Sequence, residues 1–186
     1  MTFERLALRL LVFLCLLQLA VPAFMIARRE HVLHEGRSFK FKTAPVDPYD
    51  AFRGRYVALN FEAATVTGIP LPSGLQHGVR VYALLGEDEK GFAKVTALSL
   101  ARPSDGPYLR ARVQYPASDR VSLELPFDRY YMEETKAPAA EDAYRQHSRS
   151  ETGNAYAIVR ILGTQAVLED LYVEGLPVKE ILRQTK

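Results

Sequence analysis

Tyr108-Leu-Arg-Ala-Arg-Val-Gln114 alternates apolar and polar residues without a break. Successive side chains of a strand point to opposite faces, so Leu109, Ala111 and Val113 are expected inside and Arg110, Arg112 and Gln114 outside. Val121-Ser-Leu-Glu-Leu125 repeats the pattern, with Val121, Leu123 and Leu125 inward. Upstream, 79–85 and 92–100 read as two further strands joined by a charged turn between Gly86 and Gly91. Asp105-Gly106-Pro107 marks the next turn, and 155–162 with 166–173 form a hairpin across Gly163-Thr164-Gln165.

One stretch leaves this period. Residues 137–148 are rich in alanine and charged side chains, with Pro138 near the start, and predict an exposed helix. A short helix over 176–184 is a weaker expectation from the same reasoning. Seven or eight short strands with turn residues every 8–12 positions predict a mostly β fold, a small barrel or two-layer sandwich. The 186 residues suffice for one domain plus an appendage, and neither a repeat nor a low-complexity linker divides them.

The appendage is N-terminal. All but Gln18 and Pro22 of residues 10–27 are apolar, and at 1.5 Å per residue they extend about 27 Å, the thickness of a hydrocarbon core. No second run of that length follows, which excludes a multi-spanning channel or transporter. The segments expected are a basic tail at 1–9, a transmembrane signal anchor at 10–27 and one domain at 31–186. Cleavage after Ala23, in Val21-Pro22-Ala23, is the alternative, but Phe24, Met25 and Ile26 add apolar length that a cleaved signal does not need.

Arginine and lysine flank both ends of the run, Arg5 and Arg9 before it and Arg28, Arg29, Arg37, Lys40 and Lys42 after it. The positive-inside count alone would put the C-terminus in the cytoplasm. A short basic tail behaves as an n-region, however, and long domains translocate largely regardless of charge. The expectation is a single-pass protein of the cytoplasmic membrane with a periplasmic C-terminal domain. Cys15, the one cysteine, lies within the apolar run, so no disulfide can form inside the chain.

A further stretch, Thr43-Ala-Pro-Val-Asp-Pro-Tyr-Asp-Ala-Phe-Arg-Gly-Arg-Tyr-Val-Ala-Leu-Asn-Phe61, combines turn-forming prolines and aspartates with a strand. Gly54 permits a tight backbone before it, and Val57, Leu59 and Phe61 share one face. This resembles the GDYXXLXY domain family, bacterial membrane-anchored proteins named after that motif. Gly54, Tyr56 and Leu59 occupy the named positions; Arg55 replaces the motif's aspartate and Phe61 its final tyrosine. Asp47, Pro48, Asp50 and Arg53 are similar to the family's lead-in. Pro126-Phe127-Asp128-Arg129-Tyr130-Tyr131-Met132-Glu133-Glu134 is similar to its second recurrent stretch, with Arg129, Tyr130, Tyr131 and Glu134 as the residues of interest. The resemblance implies an extracytoplasmic domain, and an accessory role beside a multi-spanning membrane protein. Arg55 and Phe61 would remove an acid–base or hydroxyl role from the motif but leave a folding role intact.

Chemistry-bearing patterns are sparse. His31, His34 and Glu35 have helical spacing but lack further ligands, so no metal and no cofactor is expected. Ser38-Phe39-Lys40 does not reproduce a Ser/Lys hydrolase motif, and neither a nucleophile elbow nor a phosphate-binding glycine loop occurs. Net charge is +2, which gives no global field for nucleic acid. The remaining surface feature is arginine: Arg53 and Arg55 with Arg110 and Arg112 would form an anion-binding patch if their strands were neighbours. The expected function is a non-enzymatic, membrane-anchored docking domain acting through a strand edge or the Arg55 and Tyr56 face. The alternatives are a binder of anionic small molecules or lipid headgroups and, behind it, a membrane-anchored hydrolase using Ser38.

Two substitutions separate a folding motif from a chemical one. Leu59→Asp puts a charge on the inward face and is expected to abolish cooperative thermal unfolding. Arg55→Asp, which restores the usual family residue, is expected to leave the melting temperature within a few degrees of the parent.

Overall fold

The protein is described by a computed structural model over residues 2–44, 56–117, 119–131, 155–178 and 180. Helix α1, Thr2–Glu35, passes through Pro22 without a break and extends beyond the apolar run. It is long and apolar enough to cross a membrane, and its Leu, Val, Phe and Ile side chains from Leu8 to Ile26 are exposed. Residues 31–35, grouped above with the domain, are therefore helical. They continue because the last turns have a surface to pack on. Val32 is fully buried, and Gly36 follows it with its amide donating to the Val32 carbonyl at 2.9 Å.

The strands are β1 (Arg37–Ala44), β2 (Tyr56–Ala58), β3 (Asn60–Phe61), β4 (Thr65–Thr67), β5 (Arg80–Glu87) and β6 (Ala93–Ser99). They continue with β7 (Tyr108–Pro116), β8 (Arg120–Glu124), β9 (Arg129–Tyr131), β10 (Ala155–Leu162), β11 (Gln165–Val173) and β12 (Leu176–Pro177). One sheet has the order β12-β11-β10-β1-β3, a second β4-β8-β7-β5-β6, and β2 with β9 makes a two-stranded ribbon. Among the described residues all the strand pairs are antiparallel, and a parallel bridge between Lys40 and Phe92 links the two large sheets of a curled half-barrel. The mostly β reading with one apolar N-terminal helix holds. The helix expected at 137–148 lies outside the described residues.

The alternation in the sequence is the alternation in space. Leu109, Ala111 and Val113 are buried while Arg110, Arg112 and Gln114 are exposed; Val121, Leu123 and Leu125 are buried as well. The β10–β11 hairpin turns at Gly163, whose φ of 58° is the left-handed conformation that glycine tolerates best. Asp88 closes the β5–β6 turn, its Oδ1 accepting from the amides of Lys90 and Phe92 at 2.9 and 2.8 Å. Of the helix expected over 176–184, Leu176–Pro177 instead form β12, which pairs with β11, while Val178 and Glu180 are helical and 179 and 181–184 lie outside the described residues. Turn residues Glu174 and Gly175, both with positive φ, reverse the chain into that pairing.

A segment read as one strand, Tyr56 to Phe61, changes partner at Leu59. Residues 56–58 pair with β9, Leu59 donates its amide to the Asp128 carbonyl at 2.8 Å, and residues 60–61 pair with β1. A 3-10 turn, Glu62–Ala64, then delivers β4 to the second sheet. The core is one apolar cluster shared by both sheets. At its centre Phe41, Phe61 and Phe127 meet edge to face, with ring centroids 4.9 to 5.9 Å apart. Ala157 stands opposite Phe41 in the β1–β10 register, and its small side chain leaves room for the rings.

The junction gives a test. A Cβ on Gly36 would collide with the Val32 carbonyl oxygen and come within 3.1 Å of the Ile161 amide nitrogen. Gly36→Val is therefore expected to destabilise the full chain by about 1–3 kcal/mol, read as a lower melting temperature by circular dichroism in detergent.

Candidate functional site

The two stretches singled out in the sequence are partners in the fold. In the ribbon Tyr56 stands opposite Tyr131, Val57 opposite Tyr130 and Ala58 opposite Arg129. Beyond the ribbon, Leu59 and Phe61 are buried, and Phe61 packs on Phe127 of the second stretch with centroids 5.3 Å apart. Phe61, which stands where the motif has tyrosine, is thus a core ring, and no buried partner for a hydroxyl is needed. Asp47, Pro48, Asp50, Arg53, Gly54, Arg55 and Glu134 lie outside the described residues.

Tyr130 links the ribbon to the first sheet. Its ring is buried, and its hydroxyl donates to Asp170 Oδ1 of β11 at 2.6 Å. The same carboxylate oxygen accepts from the Leu171 amide at 2.9 Å. Asp170 sits beside a register shift, where β10 passes from Ile158↔Asp170 to Val159↔Leu168. The register shift lies on the N-terminal side of Asp170 in β11, and the burial alternation from Asp170 to Val173 is unbroken. Burial, followed by the Asp170 hydrogen bond and charge, holds the Tyr130 phenol well above its ordinary pKa. Tyr172, two residues farther along β11, is raised as well, by burial first and then by the Asp170 charge.

A groove of about 340 Å³ opens where this ribbon, the β11 strand and the end of α1 meet. Arg29, Phe127, Asp128, Arg129, Ala166 and Leu168 line it. Two of these, the chain neighbours Asp128 and Arg129, form an ion contact at 3.7 Å, both half exposed. Two contacts pin the helix end here, and an ion pair within the β10–β11 hairpin orients one of the donors. Arg28 donates to Gln165 at 3.0 Å; Arg160 donates to the Gly36 carbonyl at 3.3 Å and pairs with Glu169 at 2.7 Å. Position along the sequence hides this set, because its members come from α1, β9, β10 and β11. The one sequence cue is Gly36, a glycine between a helix and a strand with no turn to explain it.

Of the expected arginine patch, Arg53 and Arg55 lie outside the described residues, and Arg110 and Arg112 are exposed on β7. The strand neighbours of β7 are β5 and β8, whereas β2, which follows Arg53 and Arg55, pairs with β9. Arg110 and Arg112 therefore have Arg80 of β5 beside them, with Arg80 directly opposite Arg112. Arg80 was legible as an exposed residue at a strand start, but its neighbour on β7 was not. Ser38 and Lys40 are exposed on β1, and Lys40 Nζ lies over the Tyr156 ring at 5.8 Å. His31 and His34 are exposed on the helix, His34 with Glu30 at 3.8 Å. Among the described residues no group of three or more His, Cys, Asp or Glu could hold a metal ion.

The family model described as GDYXXLXY protein matches residues 18–171, from the middle of α1 into β11. No curated protein matches the chain, and no solved structure does.

The Tyr130–Asp170 bond sets a pH dependence. The folded chain keeps the phenolic proton that the unfolded chain releases near pH 10, so this contribution is complete below about pH 10 and declines as pH rises beyond it. Tyr130→Phe is expected to cost roughly 1–3 kcal/mol at neutral pH, by leaving Asp170 without its phenol donor. In urea titrations between about pH 8 and 11 the variant should lose less stability than the parent, by up to about 1.4 kcal/mol per pH unit above 10.

Proposed function

The chain belongs to the GDYXXLXY protein family, and we propose that it is a membrane-anchored, non-enzymatic accessory domain that docks an integral membrane partner. The proposed site is the groove between the end of α1, Asp128–Arg129 and β11. In this reading α1 is an uncleaved signal anchor in the cytoplasmic membrane, and the β domain lies on its extracytoplasmic side.

The observation that carries the reading is the pinned junction. Arg29 lies two residues past Ala27, the end of the apolar run, a rise of about 3 Å along the helix. A groove that includes Arg29 is therefore held against the headgroup level of any membrane that α1 crosses. Buried Val32, the close approach at Gly36 and the Arg160 bonds leave the domain no swivel with which to carry the groove away. A surface fixed at that height meets other membrane proteins in preference to soluble ones. Its mixed lining, two arginines and one aspartate around Phe127 and Leu168, has the apolar floor and polar rim of a protein interface.

A photo-crosslinking amino acid at Val167, beside the groove, tests this in intact membranes. A discrete adduct with one integral membrane protein is expected, and the same probe at Gln114, on the outer face of the second sheet, should not give it. Adducts with lipid alone, or the same protein adduct from both positions, would overturn the reading.

A further inference from the structure

We propose that Arg80, Arg110 and Arg112 form a binding site for a soluble phosphate-class oxyanion on the outer face of the second sheet. The three residues line one cleft of about 210 Å³, with Glu124 and Pro126 at its rim. That volume is several times the roughly 30 Å³ that a water molecule occupies in the liquid, so a phosphate group fits with part of the molecule that carries it.

The charges are arranged against the stability of the sheet. Arg80 and Arg112 are directly opposite in the β5–β7 register, and Arg110 stands two residues from Arg112 on the same exposed face. Like charges directly opposite one another on a sheet are destabilising. One acid answers three cations: Glu124, opposite Arg112 on β8, reaches it at 3.8 Å, with both side chains more than half exposed. Among the described residues Arg80 and Arg110 have neither an ion pair nor a side-chain hydrogen bond. Three other cations of the domain, Arg37, Lys42 and Arg160, each meet a carboxylate at 3.0 Å or less. Three guanidinium groups offer more forked donors than the two oxygens of a carboxylate can accept, whereas a tetrahedral oxyanion has enough.

Placement along β5 indicates a soluble source for the anion. Glu87, at the far end of that strand, pairs with Arg37 just after α1 at 3.0 Å, which ties the Glu87 end to the helix junction. Seven steps of strand lead from Arg80 to Glu87, about 23 Å at roughly 3.3 Å each. The Arg80 end of the cleft is thus remote from the point where α1 leaves the domain, which favours a soluble source of phosphate over a lipid headgroup. The cleft and the docking groove meet at Pro126, which lines both, but their charged residues differ, so either reading can fail alone.

The test uses the full chain in phosphatidylcholine nanodiscs, with inorganic phosphate as the probe and chloride at matched ionic strength as the reference. Because the chain has no tryptophan, unfolding is followed by circular dichroism. At phosphate about tenfold above its Kd the melting temperature should rise by roughly 3–6 °C relative to chloride. The double variant Arg80→Gln/Arg110→Gln should match or exceed the parent in chloride, since it loses like-charge repulsion, and should show no rise with phosphate. A parent without the rise, or a double variant that keeps it, overturns the site. The rise should be equal in discs containing phosphatidylglycerol; its loss there would make the lipid headgroup the occupant and overturn the soluble source.

Discussion

Three phenylalanine rings hold the architecture together. Phe41 comes from the first sheet, Phe61 from the end of the family motif and Phe127 from the second family-like stretch, and each packs edge to face on the other two. Their contact fixes the path of a chain that has to serve three sheets in quick succession. Between Tyr56 and Thr67 the backbone pairs first with the ribbon partner, then with β1, then with β8. Short strands of two or three residues contribute few ladder hydrogen bonds, so they stay in register because buried side chains at Leu59, Phe61 and Val66 hold them. This explains how Phe61 can replace a tyrosine: the position is required to fill space.

The second constraint is the joint between helix and domain. An anchor that ended at Ala27 and led into a loop would leave the domain free to tumble at the membrane. Here the helix continues to Glu35, buries Val32 and passes through a glycine too crowded for any side chain. The hairpin of β10 and β11 supplies the receiving surface, through Arg160 and Gln165. The same hairpin also receives Tyr130 at Asp170. One hairpin thus links the helix to the family's second stretch, so the groove between them is a consequence of how the domain is mounted.

Electrostatics divides the surface into two kinds of arginine. Those at the junction are answered by carboxylates or carbonyls and hold elements in place. Those on the outer face of the second sheet stand together with one acid among them. Exposed ion pairs contribute at most about 1 kcal/mol each, so neither group decides whether the chain folds. The contrast bears on what the surfaces can meet.

The period-two pattern determined most of the fold directly. Residues 108–114 and 121–125 show their inward and outward faces in the order of their side chains, because alternation is a local property of an extended backbone. The apolar run likewise defines a helix long and apolar enough to cross a membrane, since that is a matter of length and composition. The similarity of two separate stretches to one family was legible too. Pairing was not. That the ribbon joins Tyr56 to Tyr131, that Arg80 faces Arg112, and that Asp170 turns toward Tyr130 depend on contacts between residues far apart in the chain. Local propensity carries no record of such neighbours, and alternation gives the face of a side chain but not its partner. The sequence alone determined which residues face inward; only the tertiary structure decided which of them meet, because that choice is made by the packing of one shared core.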